Sequence, residues 1–163
     1  MIFLEEHMRP LPHSMLTSEE IASVENLSVD TINGKCESGE CPAVKVGKFW
    51  RIPRQHYAFW VADRLPGSMR EVAVATAAHE MRQRPLADYS PLISTEDSAA
   101  LLRITVGTFE RHCRNQILPV VKSGRRWQLV RDKYQEELRV AFLRWRVQKL
   151  SFVGASARTG EVR

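Results

Sequence analysis

Four polar side chains of related chemistry lie close together in the chain, at Thr108, Arg111, Arg114 and Asn115. Residues three or four positions apart share one face of a helix, so a helix here would present them together. Arginine and asparagine form paired hydrogen bonds with the edges of guanine and adenine, and each pair contributes about 1 to 3 kcal/mol of discrimination between bases. The alternative is a solvated basic helix face. These residue types at this spacing are candidates for contacts with the bases of duplex DNA.

A second group of cations, Lys122, Arg125 and Arg126, follows around a glycine. At the tip of a hairpin these side chains would meet phosphates or a narrow minor groove, and so add affinity more than sequence information. Lys45 and Lys48 form a weaker version of this group earlier in the chain. We predict that all five contact the DNA backbone.

Both hairpin groups belong to a segment that occurs twice. "AVKVGKFWRI" begins at residue 43 and "VVKSGRRWQL" at residue 120, and the difference, 120 − 43 = 77, holds without a gap over 16–61 and 93–138. A period this long indicates one small domain present twice, because solenoid repeats have periods of roughly 20 to 50 residues. The identities are Glu19/Glu96, Ala22/Ala99, Val29/Val106, Thr31/Thr108, Cys36/Cys113, Pro42/Pro119, Val44/Val121, Lys45/Lys122, Gly47/Gly124, Trp50/Trp127, Arg54/Arg131 and Tyr57/Tyr134.

Each copy begins with the pattern of two short helices joined by a turn. In the first copy, Thr17 or Ser18 is a candidate N-cap followed by acidic residues, which favour the start of a helix. Asn26 tolerates a left-handed backbone and can end this helix before Ser28 caps the next one. The second copy has its equivalent caps at Ser94 or Thr95 and at Thr105.

The second helix of each copy has one apolar side. Val29, Ile32 and Cys36 have the spacing i, i+3 and i+7, so we predict that they are buried together. The equivalent buried residues of the second copy are Val106, Phe109 and Cys113.

The second helix of the first copy is less suited to DNA. Asn33 and Lys35 lie on its flanks and are the predicted base contacts of this copy, but Asp30 and Glu37 point outward. Carboxylates that face phosphates reduce affinity for DNA. Light contact with DNA and contact with a protein therefore both remain open for this copy.

Further segments connect and extend the copies. Ser68 and Glu71 form a capping-box pattern before an alanine-rich run, which predicts a linker helix up to Arg82. The last helix continues past what the repeat requires, with an apolar stripe. This stripe could pack on the first copy, pair with another chain or dock on a recombinase. Its residues are Tyr134, Leu138, Ala141, Phe142 and Trp145.

The composition of 44% hydrophobic and 26% charged residues is typical of a folded globular protein, and the formal net charge is +5. The two copies differ in charge. Residues 16–64 contain six Lys and Arg against seven Asp and Glu, a net of −1, whereas residues 93–150 contain twelve against six, a net of +6. Only the second copy is strongly basic, as expected of a surface that meets a polyanion.

Other kinds of chemistry lack support in the sequence. We find no nucleophile beside a base, no phosphate loop and no acidic dyad, and so expect no enzyme and no cofactor. Cys36 and Cys41 do not suggest a metal site, because the second copy has Leu118 in place of Cys41 and structural zinc needs four ligands. No apolar run approaches the ~20 residues of a membrane helix, so we expect a cytoplasmic, nucleoid-associated protein.

Three segments of the first copy, "LTSEEIA", "LSVDTI" and "CPAVKVGKFWRIPR", resemble the winged helix-turn-helix of the excisionase and MerR-like family. The second copy has a looser version, "ISTEDSA", "ITVGTF" and "LPVVKSGRRWQLVR". Together they cover more than half of the chain. The resemblance implies a DNA-binding module with its second helix in the major groove and its hairpin, the wing, on the backbone or minor groove. Two modules in one chain depart from the usual single-module excisionase.

The predicted fold class is therefore mainly α with small β-hairpin wings, as tandem winged helix-turn-helix domains joined by a helical linker. The predicted ranges are an N-terminal arm at 1–15, the first module at 16–64, the linker at 65–92, the second module with its extended helix at 93–150 and a flexible tail at 151–163.

The resemblance implies a sequence-specific double-stranded DNA-binding protein. It favours an excisionase-like recombination directionality factor of a phage or mobile element, which binds and bends DNA beside an integrase. A transcriptional regulator would use the same surface. An adaptor whose first module binds a recombinase or polymerase is the alternative of another class. Self-association through the C-terminal helix also remains open, as does the choice between direct and inverted subsites.

Overall fold

A computed structural model describes residues 15–82, 86 and 89–160 of the chain. The first unit comprises β1 (Leu16–Thr17), α1 (Ser18–Glu25), α2 (Val29–Glu37), β2 (Val44–Val46), β3 (Phe49–Ile52) and α3 (Arg54–Asp63). Helix α4 (Gly67–Arg82) connects the units. The second unit comprises β4 (Leu92–Ile93), α5 (Thr95–Leu102), α6 (Val106–Arg114), β5 (Val120–Ser123), β6 (Arg126–Val130) and α7 (Arg131–Gly160). Both units have the same order of elements, and the described chain is mainly helical, as predicted.

Side-chain caps define the starts of four helices where the sequence suggested them, whereas α4 already begins at Gly67, so Ser68 lies inside this helix and is not the predicted cap. Thr17 accepts a hydrogen bond from the backbone N–H of Glu20 at 3.2 Å, and the Glu20 carboxylate accepts one from the N–H of Thr17, which forms a capping box. Asn26 ends α1 with φ 55° in the left-handed region. The caps of α2, α5 and α6 are Ser28, Ser94 and Thr105.

Each hairpin gains a third strand that the sequence analysis did not predict. In the first sheet β1 pairs antiparallel with β3, with Leu16 opposite Ile52. In the second sheet β4 pairs with β6, with Ile93 opposite Leu129, so the sequence shift also holds in the strand register. Strands of two residues are too short to show an alternating pattern, which is why they left no signal.

Helix α7 completes the core of the first unit. Its Phe142 ring lies 5.1 Å from the ring of Phe59, centroid to centroid and nearly at right angles. The indole N–H of Trp145 donates to the backbone carbonyl of Glu40 at 3.3 Å. Of the uses left open for the apolar stripe, packing on the first unit is the one observed. The two units are therefore joined by a shared core as well as by α4.

The first unit in turn completes the core of the second through what we call the sheet-side surface, formed by Met15, Val44, Val46, Gly47 and Arg51. Met15 and Val46 are almost wholly buried in the second core. The Arg51 side chain is also buried, and its guanidinium donates hydrogen bonds to backbone carbonyls of the second unit.

The opposing helix-side surface belongs to the second unit and consists of Leu101, Leu102, Arg103, Ile104 and His112. Arg51 donates from Nε to the carbonyl of Leu102 at 3.0 Å and from Nη2 to that of Arg103 at 2.9 Å. The Arg103 guanidinium pairs with Glu20 of α1 at 2.9 Å. These contacts occupy the C-terminal end of α5, where carbonyls lack partners within the helix.

Two expectations need correction. Val106 was expected to share the buried face of α6, but it is 39% exposed because it occupies the first turn, where the helix emerges from the core. Residues 151–163 were expected to be a flexible tail, but α7 continues to Gly160. The segment contains no proline, and extending a helix that already exists costs far less than starting one. Residues 161–163 and most of the predicted arm at 1–15 lie outside the described residues.

Candidate nucleic-acid interface

Helix α6 is held by one face and exposes the other. Phe109 and Cys113 are almost wholly buried in the second core. Arg111 and Arg114 therefore project to the opposite side, where both are exposed. Within the described part of the chain, neither guanidinium has an ion pair or hydrogen bond. Two unpaired, exposed guanidinium groups on one helix face are free to bind a base edge or a phosphate.

The ends of α6 position the other two predicted base contacts. At the N-terminus, the hydroxyl of Thr105 donates to that of Thr108 at 2.8 Å and also accepts from the backbone N–H of Thr108. The Thr108 hydroxyl is thus oriented, and its own proton can still be donated outward. At the C-terminus, Asn115 is the capping residue and is exposed. The structure therefore brings all four predicted residues of this helix onto one solvent-facing side.

The hairpin of β5 and β6 carries the residues of the second unit that were predicted to contact the DNA backbone. Lys122 and Arg125 are exposed, and the ammonium of Lys122 lies 5.2 Å from the centre of the Trp127 ring. Arg126 pairs with Glu96 at 3.1 Å, and both side chains are largely exposed. Exposed ion pairs contribute only about 0 to 1 kcal/mol, so a phosphate can compete with Glu96 for this arginine.

The structure places the predicted base contacts of the first unit differently. Asn33 is half-buried, and its Oδ1 accepts from the hydroxyl of Ser18 at 2.6 Å. Lys35 is half-buried and pairs with Glu40 at 3.0 Å. Both side chains thus bind within their own unit instead of lying on an open face of α2.

The outward side of α2 carries mainly acidic or small side chains. Asp30, Thr31, Gly34 and Glu37 are all exposed. Two of these four residues carry negative charge, which opposes close approach to phosphates. The charge difference between the two copies is therefore reproduced on the exposed faces of their second helices.

The first hairpin is docked against α6. Its turn residue Gly47 has φ +63°, and a Cβ built there would lie 2.5 Å from Nε2 of His112, so only glycine fits. Lys45 and Lys48 remain exposed at this docked tip, with their ammonium groups 5.0 and 5.3 Å from the ring centres of Trp50 and Phe49. Lys48 follows Gly47 directly, so the structure brings a cation of the first hairpin beside the helix that carries Arg111.

His112 is the buried residue at this contact. Burial, and secondarily the neighbouring Arg111 charge, lowers the pKa of its imidazole. Neither ring nitrogen has a hydrogen-bond partner within the described residues. A neutral ring at this position avoids placing a further charge between the hairpin and the helix.

Arg51 is an important residue that sequence reasoning did not select. It fixes the first sheet to the end of α5, and thereby fixes the position of the first hairpin on α6. One signal was available, because the repeat has Gln128 where the first copy has Arg51. A long cation in a strand of only one copy is typical of a contact that only that copy makes.

The described residues contain neither a cluster of metal ligands nor a membrane-spanning helix. Among them, no group of three or more His, Cys, Asp or Glu residues could hold a metal ion. The three cysteines are free and buried. No helix of the described chain has the length and apolar character needed to span a membrane.

Comparison with known protein families identifies a helix-turn-helix domain in the chain. Residues 15–56 match a family described as a helix-turn-helix domain, and this range runs from the residue before β1 into α3. Comparisons with curated proteins and with solved structures give no match. The chain thus contains a helix-turn-helix domain in its first unit, and this supports sequence-specific DNA binding.

Proposed function

We propose that the chain binds double-stranded DNA through two winged helix-turn-helix modules, with the second module making most of the contacts. The observation that carries this proposal is the exposed, unpaired face of Arg111, Arg114 and Asn115 on α6, next to a cationic hairpin. Helix α6 would enter the major groove, where arginine and asparagine read base edges. The hairpins would lie on the phosphate backbone.

The family match covers only the first unit, whose own second helix is acidic on its outward side. The second unit has the same order of elements and the same strand register. We infer that the first unit has kept the shape of the module but contributes to DNA binding mainly by its hairpin lysines and by positioning α6. An alternative use of its α2 face is contact with a protein such as a recombinase or polymerase.

The contact between the units also favours one arrangement of DNA subsites. The sheet-side surface of the first unit meets the helix-side surface of the second, and the reverse contact does not form, since Leu92 and Val121 on the second sheet remain exposed. Units related by a two-fold axis would make both contacts. Inverted subsites require such an axis, so we infer that this protein binds subsites arranged as a direct repeat.

The biological role that we favour is that of an excisionase-like recombination directionality factor of a phage or mobile element, which binds and bends DNA beside an integrase. Transcriptional regulation would use the same surface. Bending the DNA is the property that suits both roles, because two rigidly joined modules can hold a duplex only in a geometry that fits both.

An unbiased selection of bound duplexes from a random library tests the DNA-binding proposal. We expect an enriched motif and an affinity that falls steeply with added salt, because several cations meet phosphates. Recovery of no motif, together with binding that is insensitive to salt, would contradict it. That result would favour the alternative in which the first unit is an adaptor. Binding of a recombinase to the exposed α2 face would then be measured.

A further inference from the structure

The two units meet through the sheet-side surface of the first unit and the helix-side surface of the second. The other unit has an equivalent surface of each kind, which takes no part in this contact. Because the units are related by a shift of 77 residues (120 − 43 = 77), each interface residue has an equivalent in the other unit. The unused sheet-side surface of the second unit consists of Leu92, Val121, Ser123, Gly124 and Gln128. The unused helix-side surface of the first unit consists of Val24, Glu25, Asn26, Leu27 and Lys35.

Both unused surfaces expose apolar side chains at positions that are apolar in the internal contact. On the sheet side, Leu92 is 44% and Val121 is 41% exposed. On the helix side, Val24 is 74% and Leu27 is 42% exposed. Their equivalents in the internal contact are Met15, Val44, Leu101 and Ile104, which all pack in or against the second core.

The backbone of the unused surfaces has the shape that the internal contact needs. Asn26 ends α1 with φ 55°, and Arg103 ends α5 with φ 58°, so the carbonyls at both helix ends are presented alike. The hairpin glycines also match, with φ +63° at Gly47 and φ +62° at Gly124. The tip of Gly47 is covered by His112, whereas a Cβ built on Gly124 meets no atom within 4 Å.

The two unused surfaces carry no opposing net charge. The sheet-side surface of the second unit has no charged residue, and on the helix-side surface of the first unit Glu25 and Lys35 carry one charge of each sign. Gln128 stands where Arg51 donates to two carbonyls, and its side-chain amide can still donate one such hydrogen bond. The contact between copies would therefore have one hydrogen bond of this kind, where the internal contact has two.

We propose that these surfaces bind a second copy of this chain, with the sheet-side surface of one copy on the helix-side surface of the next. The contact is heterologous, because two different surfaces meet, and each added copy again leaves one of each surface free. Association therefore does not stop at a dimer and continues to a closed ring or an open chain of copies. It rests on the internal interface and does not depend on the proposed DNA function.

The contact between copies is weaker than the one within the chain. Ser123 replaces Val46, which is almost wholly buried in the internal contact, and Gln128 replaces the charged Arg51. Two separate chains also lose the advantage of a covalent link, which raises the effective concentration of the partner surface. We therefore expect association that rises with protein concentration in the micromolar to millimolar range, roughly 10 µM to 1 mM.

Sedimentation of the full chain without DNA, over that concentration range, tests the proposal. We expect an average mass that rises with concentration above that of one 18.7 kDa chain. Val24→Lys blocks the helix-side surface, and Val121→Lys blocks the sheet-side surface. Each variant alone should stay monomeric, because every contact needs one surface of each kind. An equal mixture should form a dimer and nothing larger, because one intact surface of each kind remains.

Val72→Lys provides the matched control, since Val72 is 69% exposed on α4 and belongs to neither surface. This variant should associate like the unaltered chain, and thermal unfolding should show that all three variants are folded. A chain that stays monomeric up to the highest concentration overturns the proposal. So does association that persists in both single variants, or a mixture of them that remains monomeric.

Discussion

Arg111 and Arg114 owe their availability to their neighbours on α6. Phe109 and Cys113 are buried and hold one side of the helix against the core, so the arginines can only project to the other side. A guanidinium held in this way is preorganised for a bidentate contact, because the backbone beneath it does not need to rearrange. The cost of removing it should therefore appear as lost sequence discrimination, beyond the loss of charge.

Replacing both Arg111 and Arg114 by alanine should weaken binding to the selected duplex by about 1 to 3 kcal/mol for each arginine and relax the preference at the contacted bases. Fluorescence anisotropy with the selected and a scrambled duplex measures both effects. Arg139→Ala with Arg144→Ala removes the same charge from exposed positions of α7 and should change affinity much less. Equal losses in the two double variants would show that only net charge matters.

Gly47 tests whether the first hairpin is docked as described. Gly47→Ala should lower the free energy of unfolding by about 1 to 3 kcal/mol more than Gly124→Ala, because only the first substitution places a methyl group against His112. Both glycines have nearly the same positive φ, so the backbone strain of about 1 to 2 kcal/mol cancels in the comparison. Urea denaturation of both variants measures the difference. Equal destabilisation would mean that the hairpin tip is not in contact with α6.

At the scale of elements, α7 and α3 form the joint between the two units. His56 of α3 lies against Phe142 of α7, with ring centres 4.9 Å apart, and is almost wholly buried. This burial lowers the pKa of His56 from 6.5 to about 4, against the opposing effect of the hydrogen bond that the imidazole donates to the backbone carbonyl of Pro42. The neutral imidazole is thus the form that the folded protein accommodates.

Stability should therefore fall on acidification. Below about pH 6.5 the unfolded chain binds a proton at this histidine while the folded chain does not, so the free energy of unfolding should drop by about 2 to 3 kcal/mol between pH 7 and pH 4.5. His112 adds to the trend because its pKa is also lowered by burial. Chemical denaturation as a function of pH measures the slope.

His56→Phe is the matching variant for this slope, since phenylalanine keeps an aromatic ring against Phe142 and removes the titrating group. We expect its stability to vary less between pH 7 and pH 4.5 than that of the unaltered chain. The acidic groups with lowered pKa values, Glu25, Asp63 and Glu136, begin to lose their contribution to stability only near their ordinary pKa of about 4 to 4.5, at the lower edge of this window, and they are common to the variant and the unaltered chain. An unchanged slope would show that His56 does not titrate as its burial implies.

At the scale of the whole molecule, the shared cores make the two units one structural body. The internal contact uses the sheet of the first unit and the helices of the second, so the two halves lack two-fold symmetry. The first unit is close to neutral and the second is strongly basic. The two ends of the molecule therefore differ in charge and in the surface they expose. We expect the two halves of its DNA site to be arranged in the same direction, as a direct repeat.

Duplexes with two copies of the selected half-site test this direction. With half-sites about one helical turn apart, or roughly 10 base pairs, binding should be tighter to the direct repeat than to the inverted repeat. A duplex with a single half-site is the control, and Arg51→Gln should reduce the preference because it weakens the contact between units. Preference for the inverted repeat would contradict the non-reciprocal arrangement while leaving DNA binding itself intact.

Local signals account for much of what could be predicted. The caps at Ser28 and Thr105 and the buried positions Ile32 and Phe109 follow from patterns within a few residues, and all are observed. Val106 was misassigned because a spacing pattern cannot tell where the first turn of a helix leaves the core. The two-residue strands β1 and β4 were missed, because their existence depends on pairing with residues far away in the chain.

The amino-acid sequence by itself determined the repeated unit, its helix ends, the cationic face of α6 and the difference in charge between the copies. Periodicity, caps and charge are properties of neighbouring residues and need no knowledge of the packing. Only the tertiary structure decided that the first hairpin covers His112, that Arg51 holds the end of α5 and that α7 fills the first core. These contacts join residues far apart in the chain, and they depend on which surfaces fit each other once both units have formed.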